Sequence, residues 1–508
     1  MEKKCLLVTG TNPGAEKQVP VGLIYLGTQL KKHGYIPEIF HVTDRKSLEE
    51  CRNKITSTKY LFAGFSLWMG ETIADMIELT KTAKKCGIPT MWGGKFVSSI
   101  KAEAFTEESV DIAAMGHAEE TIVEMANAIY NGTSLANITG IYYRSQEGEV
   151  IKTPNRVYPI TNLDEYDYDL SLITDWTPYI IKPNTERIML DPFESSRGCL
   201  FKCRFCFHSD DEIYSEAGNK KLIRFHSVDF VIKKAQQLKD LTGVKKISYC
   251  DDEFWIDGKR SLEIIRRLKE IGIELIFIRV RFTSLNEEMI KKLCEYEMTS
   301  IACGLESGNA RILKMMNKGL TLDIAKEKMR MLAKYPIIVN MVIIIGNPTE
   351  TKEEMLESVR FAYDLREIKR NLNILAFFYR PLPSTDFGAM AEKLGFKRPK
   401  TVSGWINVAY EHIADIGDQW LPWYDKTQKK YMKRYEECMI ANDIICEKLY
   451  GSSKKNLIII LFWPLFYIFE KITFYRLYNW YFGFPIDVKL YSIGHKFYHF
   501  IKRTFVHG

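Results

Sequence analysis

The chain has 508 residues, long enough for two or three domains with substantial cores, and its 46% hydrophobic and 27% charged content is that of a globular protein. A net charge of +7 is modest for this length and gives no ground for a nucleic-acid partner. Eleven cysteines at irregular spacing do not form a disulfide framework; with no signal peptide at Met1-Glu2-Lys3-Lys4 they suggest a reducing cytoplasm.

Residues 1–140 alternate strand-like and helical segments. Cys5 to Gly10 reads as a buried strand before the loop Thr11-Asn12-Pro13-Gly14, and a helix from Gly22 to Lys32 stops at Gly34. Further strands are expected over Ile36 to Val42, Tyr60 to Ser66, Pro89 to Trp92 and Val110 to Ala114, with helices notably over Thr72 to Cys86 and Ala118 to Tyr130. This alternation predicts a parallel sheet with helices on both faces, whose ligand site gathers at the carboxyl ends of the strands. Those ends carry Thr9-Gly10, Ser66-Leu67-Trp68, Gly93-Gly94-Lys95 and Gly116-His117-Ala118-Glu119.

Residues 141–185 read as a connector rich in Tyr, Asp, Pro and Thr, with a hairpin over Ile141 to Ile151. Three cysteines follow within eight residues: Cys199, Cys203 and Cys206. Their spacing brings three thiolates onto one loop, as an iron–sulfur cluster or a zinc ion requires. The next cysteine is Cys250, so a cubane here keeps one iron without a protein ligand. The alternatives are a zinc site completed by His208, or three unrelated buried cysteines.

Across residues 186–390 six apolar runs are expected as strands: Ile188 to Glu194, Lys246 to Cys250, Glu274 to Val280, Ser300 to Gly304, Ile337 to Ile345 and Ile374 to Tyr379. Helical patterns separate them at Val228 to Lys239, Arg260 to Ile271, Asn286 to Tyr296, Leu322 to Lys334 and Lys352 to Tyr363. Residues 391–508 read as a mostly helical region rich in aromatic and basic residues, with a helix suggested over Tyr424 to Tyr450. Leu457 to Phe469 carries no charge but is too short to span a bilayer, and Pro464 interrupts it. Lys454 and Lys455 before it, and Lys471, Arg476, Trp480 and Tyr481 after it, resemble the edge of an interfacial anchor; the alternative is a helix buried against the preceding domain.

The cysteine loop, with Phe205 before its last thiol, resembles the signature of the radical SAM superfamily, and the six βα units resemble that family's open (β/α)6 barrel. The first 140 residues resemble the Rossmann-like cobalamin-binding domain that precedes the barrel in one class of the family. The matching pieces are Pro20 to Leu26, the Gly93-Gly94 turn and Gly116 to Thr121. Many relatives carry Gly-Glu-Gly-Glu where this chain has Gly116-His117-Ala118-Glu119, and an Asp-x-His-x-x-Gly motif is absent. His33 and His41 lack that context, so no histidine is expected to ligate cobalt. A Rossmann-like domain that has lost its cofactor is the alternative.

The resemblance implies a 4Fe-4S cluster on Cys199, Cys203 and Cys206, S-adenosylmethionine (SAM) on the open iron, and cobalamin. The SAM contacts it implies are Phe205, Asp251 or Asp252 on the ammonium, Arg281 on the carboxylate, Glu306 and Ser307 of a Gly-x-Glu-Ser-Gly run, and Gly346 beside adenine. A helix cap at Asp251 or Asp252 and a salt bridge at Arg281 are the plain structural alternatives. The implied cobalamin contacts are Thr9, Gly10, Ser66, Gly93, Gly94, Gly116 and Glu119. The expected activity is methyl transfer to an unactivated carbon by a 5′-deoxyadenosyl radical and methylcobalamin. A cobalamin-binding cyclase, rearrangement enzyme or oxidoreductase is the alternative, and a non-catalytic cobalamin or cluster sensor the second. Expected partners are a small, lipid-like substrate, an external one-electron reductant and, through the C-terminal region, a membrane surface.

Overall fold

The structure is a computed structural model that describes residues 3–12, 16–157, 162–181, 187–210, 223–408, 421–430, 432–435, 438 and 463–479. The chain divides into two compact units. The first holds residues 1–279, 380–393 and 397–412, and the second holds 280–379, 394–396 and 413–508, so the division falls inside the segment expected to form the barrel.

The first unit is built on a seven-stranded sheet with the order β2-β1-β3-β4-β5-β6-β7. Strands β1 (Lys4–Gly10), β2 (Ile36–Val42), β3 (Phe62–Ser66), β4 (Thr90–Gly93) and β5 (Ile112–Ala114) run parallel, in register Cys5 to Phe62 and Ala63 to Thr90. Burial on both faces accounts for the continuous apolar runs of β1 and β3, whereas the edge strand β2 is only partly buried. The expected hairpin is present as β6 (Ile141–Arg144) and β7 (Val150–Lys152), but it extends this sheet antiparallel beyond β5 and so belongs to the first fold element.

Helices α1 (Val21–Lys32), α2 (Arg45–Ser57), α3 (Thr72–Lys85), α4 (Lys95–Ile100) and α5 (Glu119–Asn131) connect the strands. Asp44 and Ser47 form a reciprocal capping box on α2. Gly34, at φ +82°, takes the left-handed turn after α1, with the Tyr35 N–H returning to the Leu30 carbonyl. The core between α1, α5 and the sheet contains Leu7, Leu30, Phe62, Met91, Ile122 and Ile141.

The first three barrel strands also belong to this unit. They are β8 (Ile188–Met189), β11 (Lys246–Ile247) and β12 (Glu274–Leu275), parallel in the order β12-β11-β8 and shorter than the apolar runs suggest. Between β8 and β11, β9 (Ser196–Arg197) pairs antiparallel with β10 (Arg224–Phe225), which pins the start of the cysteine loop. The helices Val228–Thr242 and Gly258–Glu270 start at side-chain caps on Ser227 and Asp257. The cap that sequence offered to Asp251 or Asp252 is therefore taken by Asp257.

The second unit carries the other three expected strands, Ser300–Glu306, Ile338–Ile345 and Leu372–Phe378, parallel and in register from Ile301 to Val339 and from Val339 to Leu372. Val339, Met341, Ile343 and Ile345 are wholly buried on one sheet face. The alternate residues of the last strand, Leu375 and Phe377, remain exposed on the other. Helices Glu287–Glu295, Leu322–Ala333 and Lys352–Ile368 lie in this unit, the last with a capping box between Thr351 and Glu354. Most of the helix expected over Tyr424 to Tyr450 lies outside the described residues; a helix does run from Trp463 to Asn479. No described helix is long and apolar enough to cross a membrane.

Candidate functional site

In the first unit a cavity of about 600 Å³ opens at the carboxyl ends of the parallel strands. It is of the size and apolar character that ligand pockets have. Six of the seven residues expected there line it: Thr9, Ser66, Gly93, Gly94, Gly116 and Glu119. Gly10 does not; its open side faces Thr72 and Met76, where a Cβ would press within 3.2 Å. Gly94, at φ +100°, is required: a Cβ would come within 3.1 Å of Ser66 Oγ and 3.2 Å of the Leu67 carbonyl oxygen. The half-exposed indole of Trp68 lies on the same wall. The residues present therefore offer a broad, largely apolar cradle with glycine backbone at its rim, which fits a flat macrocycle.

The opposite wall comes from the start of the cysteine loop. Glu194 and Arg197 line the cavity, as do Cys250, Asp251 and Asp252. Arg197 is buried between the carboxylates of Glu119 and Glu194, with its guanidinium 4.3 Å from the centre of the Tyr25 ring. Burial opposes charge on Arg197, but the two carboxylates outweigh it and hold the guanidinium firmly protonated. Burial likewise opposes charge on Glu119, and Arg197 overrides it, holding that carboxyl below its ordinary range. Burial wins at Glu194, pushing it up to about 7. Glu119 thus lines the cavity with its carboxylate already engaged by the cysteine loop.

Two aspartates brace the loop itself. Asp251 accepts from the Ser195 N–H at 2.6 Å, the Ser195 hydroxyl at 2.6 Å and the Ser196 hydroxyl at 2.7 Å. Asp252 accepts from Lys95 Nζ at 3.1 Å and the Gly198 N–H at 3.3 Å, and lies 2.8 Å from His208 Nε2. Burial would raise the Asp252 pKa; Lys95 and His208 override it and hold the carboxyl far below the usual range. Both carboxylates expected on the SAM ammonium are thus engaged in positioning the cysteine loop.

Cys203 is buried, and Cys199 and Cys206 are partly so. Burial raises the thiol pKa at Cys199 and, at Cys206, to about 11. The Phe201 and His208 backbone N–H groups point at these two sulfurs and favour the thiolates. Such N–H···S contacts are what an anionic cluster needs around its ligands. Among the described residues no three His, Cys, Asp or Glu side chains converge as the ligands of one ion do. His208, the residue expected to complete a zinc site, is directed to Asp252. Phe205 packs toward Phe387, ring centres 6.4 Å apart.

In the second unit Glu306, at φ +68°, forms a buried ion pair with Lys318 at 2.6 Å. Gly304 leaves the room: a Cβ there would overlap the Glu306 carboxylate. Arg281 donates to the Lys318 carbonyl oxygen. Ser307 bonds to Ser358 at 2.8 Å, and a Cβ on Gly308 would lie 2.7 Å from the Ser358 Cα. Those two residues seat the strand end on helix Lys352–Ile368. Gly346, at φ +82°, lies under Met432 and Leu421.

Beyond that turn, Glu350 accepts from the Asn347 N–H at 2.8 Å, and burial pushes its pKa up to about 7. Because the folded state holds this proton more tightly than the unfolded chain, stability falls as pH rises from about 4.5 through 7. Glu350→Gln is expected to raise the thermal midpoint at pH 8 and to leave it nearly unchanged at pH 5. An equal shift at both pH values contradicts this titration.

The sequence profile of the Radical SAM superfamily matches residues 193–362. Residues 193–362 are a radical SAM domain. The chain is 28% identical over 375 residues to an uncharacterized methyltransferase of Pyrococcus horikoshii, covering 71% of this chain and 78% of the relative. It is 26% identical over 390 residues to the anaerobic magnesium-protoporphyrin IX monomethyl ester cyclase of Rubrivivax gelatinosus, covering 74% and 66%. Among solved structures, the cobalamin-dependent SAM radical enzyme OxsB matches at a TM-score of 0.69 and 14% identity over 93% of this chain and 72% of that one. The radical SAM methyltransferase TsrM of Kitasatospora setae, solved with cobalamin and a 4Fe-4S cluster, matches at 0.61 and 16% over 78% and 76%. At such identities the likeness is one of fold, and the fold is the expected one: a Rossmann-like domain, a radical SAM domain and a helical C-terminal region.

Arg197 and Glu194 are residues that sequence reasoning did not assign to the site. The one signal available was Arg197 itself, a charge set among the small residues Ser195, Ser196 and Gly198 at the loop start. His117 also lines the cavity, whereas His33 bonds the Gln29 carbonyl and His41 lies between Thr11 and Tyr179. Burial drives the His117 pKa down to about 3, which keeps the ring neutral.

Proposed function

We propose that this radical SAM enzyme is a cobalamin-dependent methyltransferase acting on an unactivated carbon. One observation carries the reading: a single cavity is walled on one side by the strand ends of the Rossmann-like domain and on the other by the residues flanking the cysteine loop. When bound, the cluster with SAM supplies a 5′-deoxyadenosyl radical, and cobalamin supplies a transferable methyl group. The chain's own residues supply position. Gly93 and Gly94 let backbone approach a flat ligand, and Trp68 offers it a ring face. The Arg197–Glu119 and Lys95–Asp252 pairs fix the cysteine loop against that wall. Holding reactive groups in register is the larger part of what a protein adds to radical chemistry.

The exposed Leu375 and Phe377 on the open sheet face of the second unit favour a substrate with an apolar, lipid-like portion. No side chain supplies a low-potential electron, so the reductant is an external one-electron carrier. Cysteine usage favours a cytoplasmic setting.

The likeness to the Rubrivivax gelatinosus cyclase supports a second reading, the same cofactors without methyl transfer. Anaerobically loaded enzyme given SAM deuterated in its methyl group decides between them. Deuterated methyl groups in product are expected; deoxyadenosine formed with an unmethylated product would establish the second reading.

A further inference from the structure

The helix Trp463–Asn479 buries polar residues beside apolar ones and leaves large apolar side chains exposed. Its inward side, packed on helix Lys352–Ile368, carries Glu470 and Thr473, each 2% exposed, beside Leu477. On that side the Phe474 ring meets Tyr363 edge-on at 5.1 Å, and Arg360 Nε donates to the Tyr478 carbonyl oxygen at 2.9 Å. The outward side carries Ile468, 54% exposed, and Tyr475, 62% exposed, together with exposed Tyr467 and Ile472. At about 100° per residue these four fall on one stripe about 140° wide. A helix facing water shows the reverse arrangement, polar outside and apolar within.

Charge follows the same pattern. The helix has one acid, Glu470, which is buried and pairs with Lys471 at 3.4 Å; Lys471 lies within the apolar stripe and Arg476 beside it. Lys471 Nζ lies 5.3 Å from the centre of the Tyr467 ring. Residues 451–508 hold eight Lys and Arg against two Asp and Glu, a surplus of six out of the whole chain's +7. They also hold 17 aromatic residues. Tyr and Trp beside basic residues mark the headgroup layer of a bilayer. A helix of 17 residues is about 25 Å long, short of the roughly 30 Å hydrocarbon core. Among the described residues no helix is long and apolar enough to cross a membrane. A second copy of the same basic face would be repelled by it, which disfavours self-association through this stripe.

We infer that this helix seats the protein on an anionic lipid bilayer, with Ile468, Ile472 and Tyr475 among the headgroups and Lys471 and Arg476 against lipid phosphates. The inference is independent of the methyl-transfer reading. It places the enzyme where an apolar substrate is concentrated.

The test is co-sedimentation of the full-length protein with vesicles of phosphatidylcholine alone or mixed with phosphatidylglycerol. Binding to the mixed vesicles is expected, weakening as salt is raised. Ile468→Glu/Tyr475→Glu is expected to lower the partition coefficient at least about tenfold, with iron content and deoxyadenosine formation unchanged. Ile468→Ser/Tyr475→Ser, which adds no charge, is expected to weaken binding in the same direction and guards against a folding defect. Protein that stays in the supernatant with mixed vesicles overturns the inference. So do variants that bind as tightly as the parent. A lipid-free dimer in sedimentation velocity that the same variants dissociate would assign the stripe to self-association and also overturn it.

Discussion

Methionine in place of Arg197 is expected to destabilise the first unit by about 3–5 kcal/mol, because it removes the single cation held between two buried carboxylates. Methionine retains most of the length and apolar contact of the arginine stem, so the loss measures charge more than volume. A change of this size lowers the thermal midpoint by on the order of 10 °C. The deficit has a pH signature. Without Arg197, Glu119 and Glu194 favour their protonated forms in the fold, so the variant weakens further as pH rises through the carboxylate range and recovers as pH falls. Adding Glu119→Gln to the variant is expected to restore part of the lost stability, since it removes one of the stranded charges. Because Arg197 is two residues before Cys199, iron content should fall with stability. A variant as stable as the parent at pH 8 would show that the triad is not formed in solution.

Cys203→Ala is expected to reduce iron and sulfide in anaerobically reconstituted protein to background and to abolish reductive SAM cleavage. Three thiolates are the minimum that keeps a cubane on this loop; His208 is directed to Asp252, and Cys250 lines the cavity. Cys86→Ala, at the exposed end of α3, is the matched control and should leave both measurements unchanged. Parent protein that binds zinc in place of iron and sulfide, or a Cys203→Ala variant that still cleaves SAM, would refute the cluster assignment.

The strand ends of the Rossmann-like domain were legible because parallel strands buried on both faces must be continuous apolar runs, and their exits must be small or polar. Cys5 to Gly10 and Phe62 to Ser66 show this directly. The spacing of the three thiols pointed to the segment that the radical SAM profile matches. What could not be read was partnership. Asp251 and Asp252 stand at a strand exit, where a ligand contact and a loop brace look identical in sequence; only the fold brings Ser195, Ser196 and Lys95 to them. Glu306 is a similar case, since Lys318 follows it by twelve residues through an intervening helix. The hairpin at Ile141 was legible as a hairpin, but its place at the edge of the first sheet depends on pairing Ile112 with Tyr143, a contact 31 positions apart.

The bracing of the cysteine loop has one further consequence. Asp251, Asp252 and Arg197 fasten the loop through oxygen and nitrogen atoms, leaving sulfur out of the scaffold. The start of the loop is therefore held by contacts that do not involve its thiols, so exchanging a thiol alters the sulfur chemistry there without removing the braces.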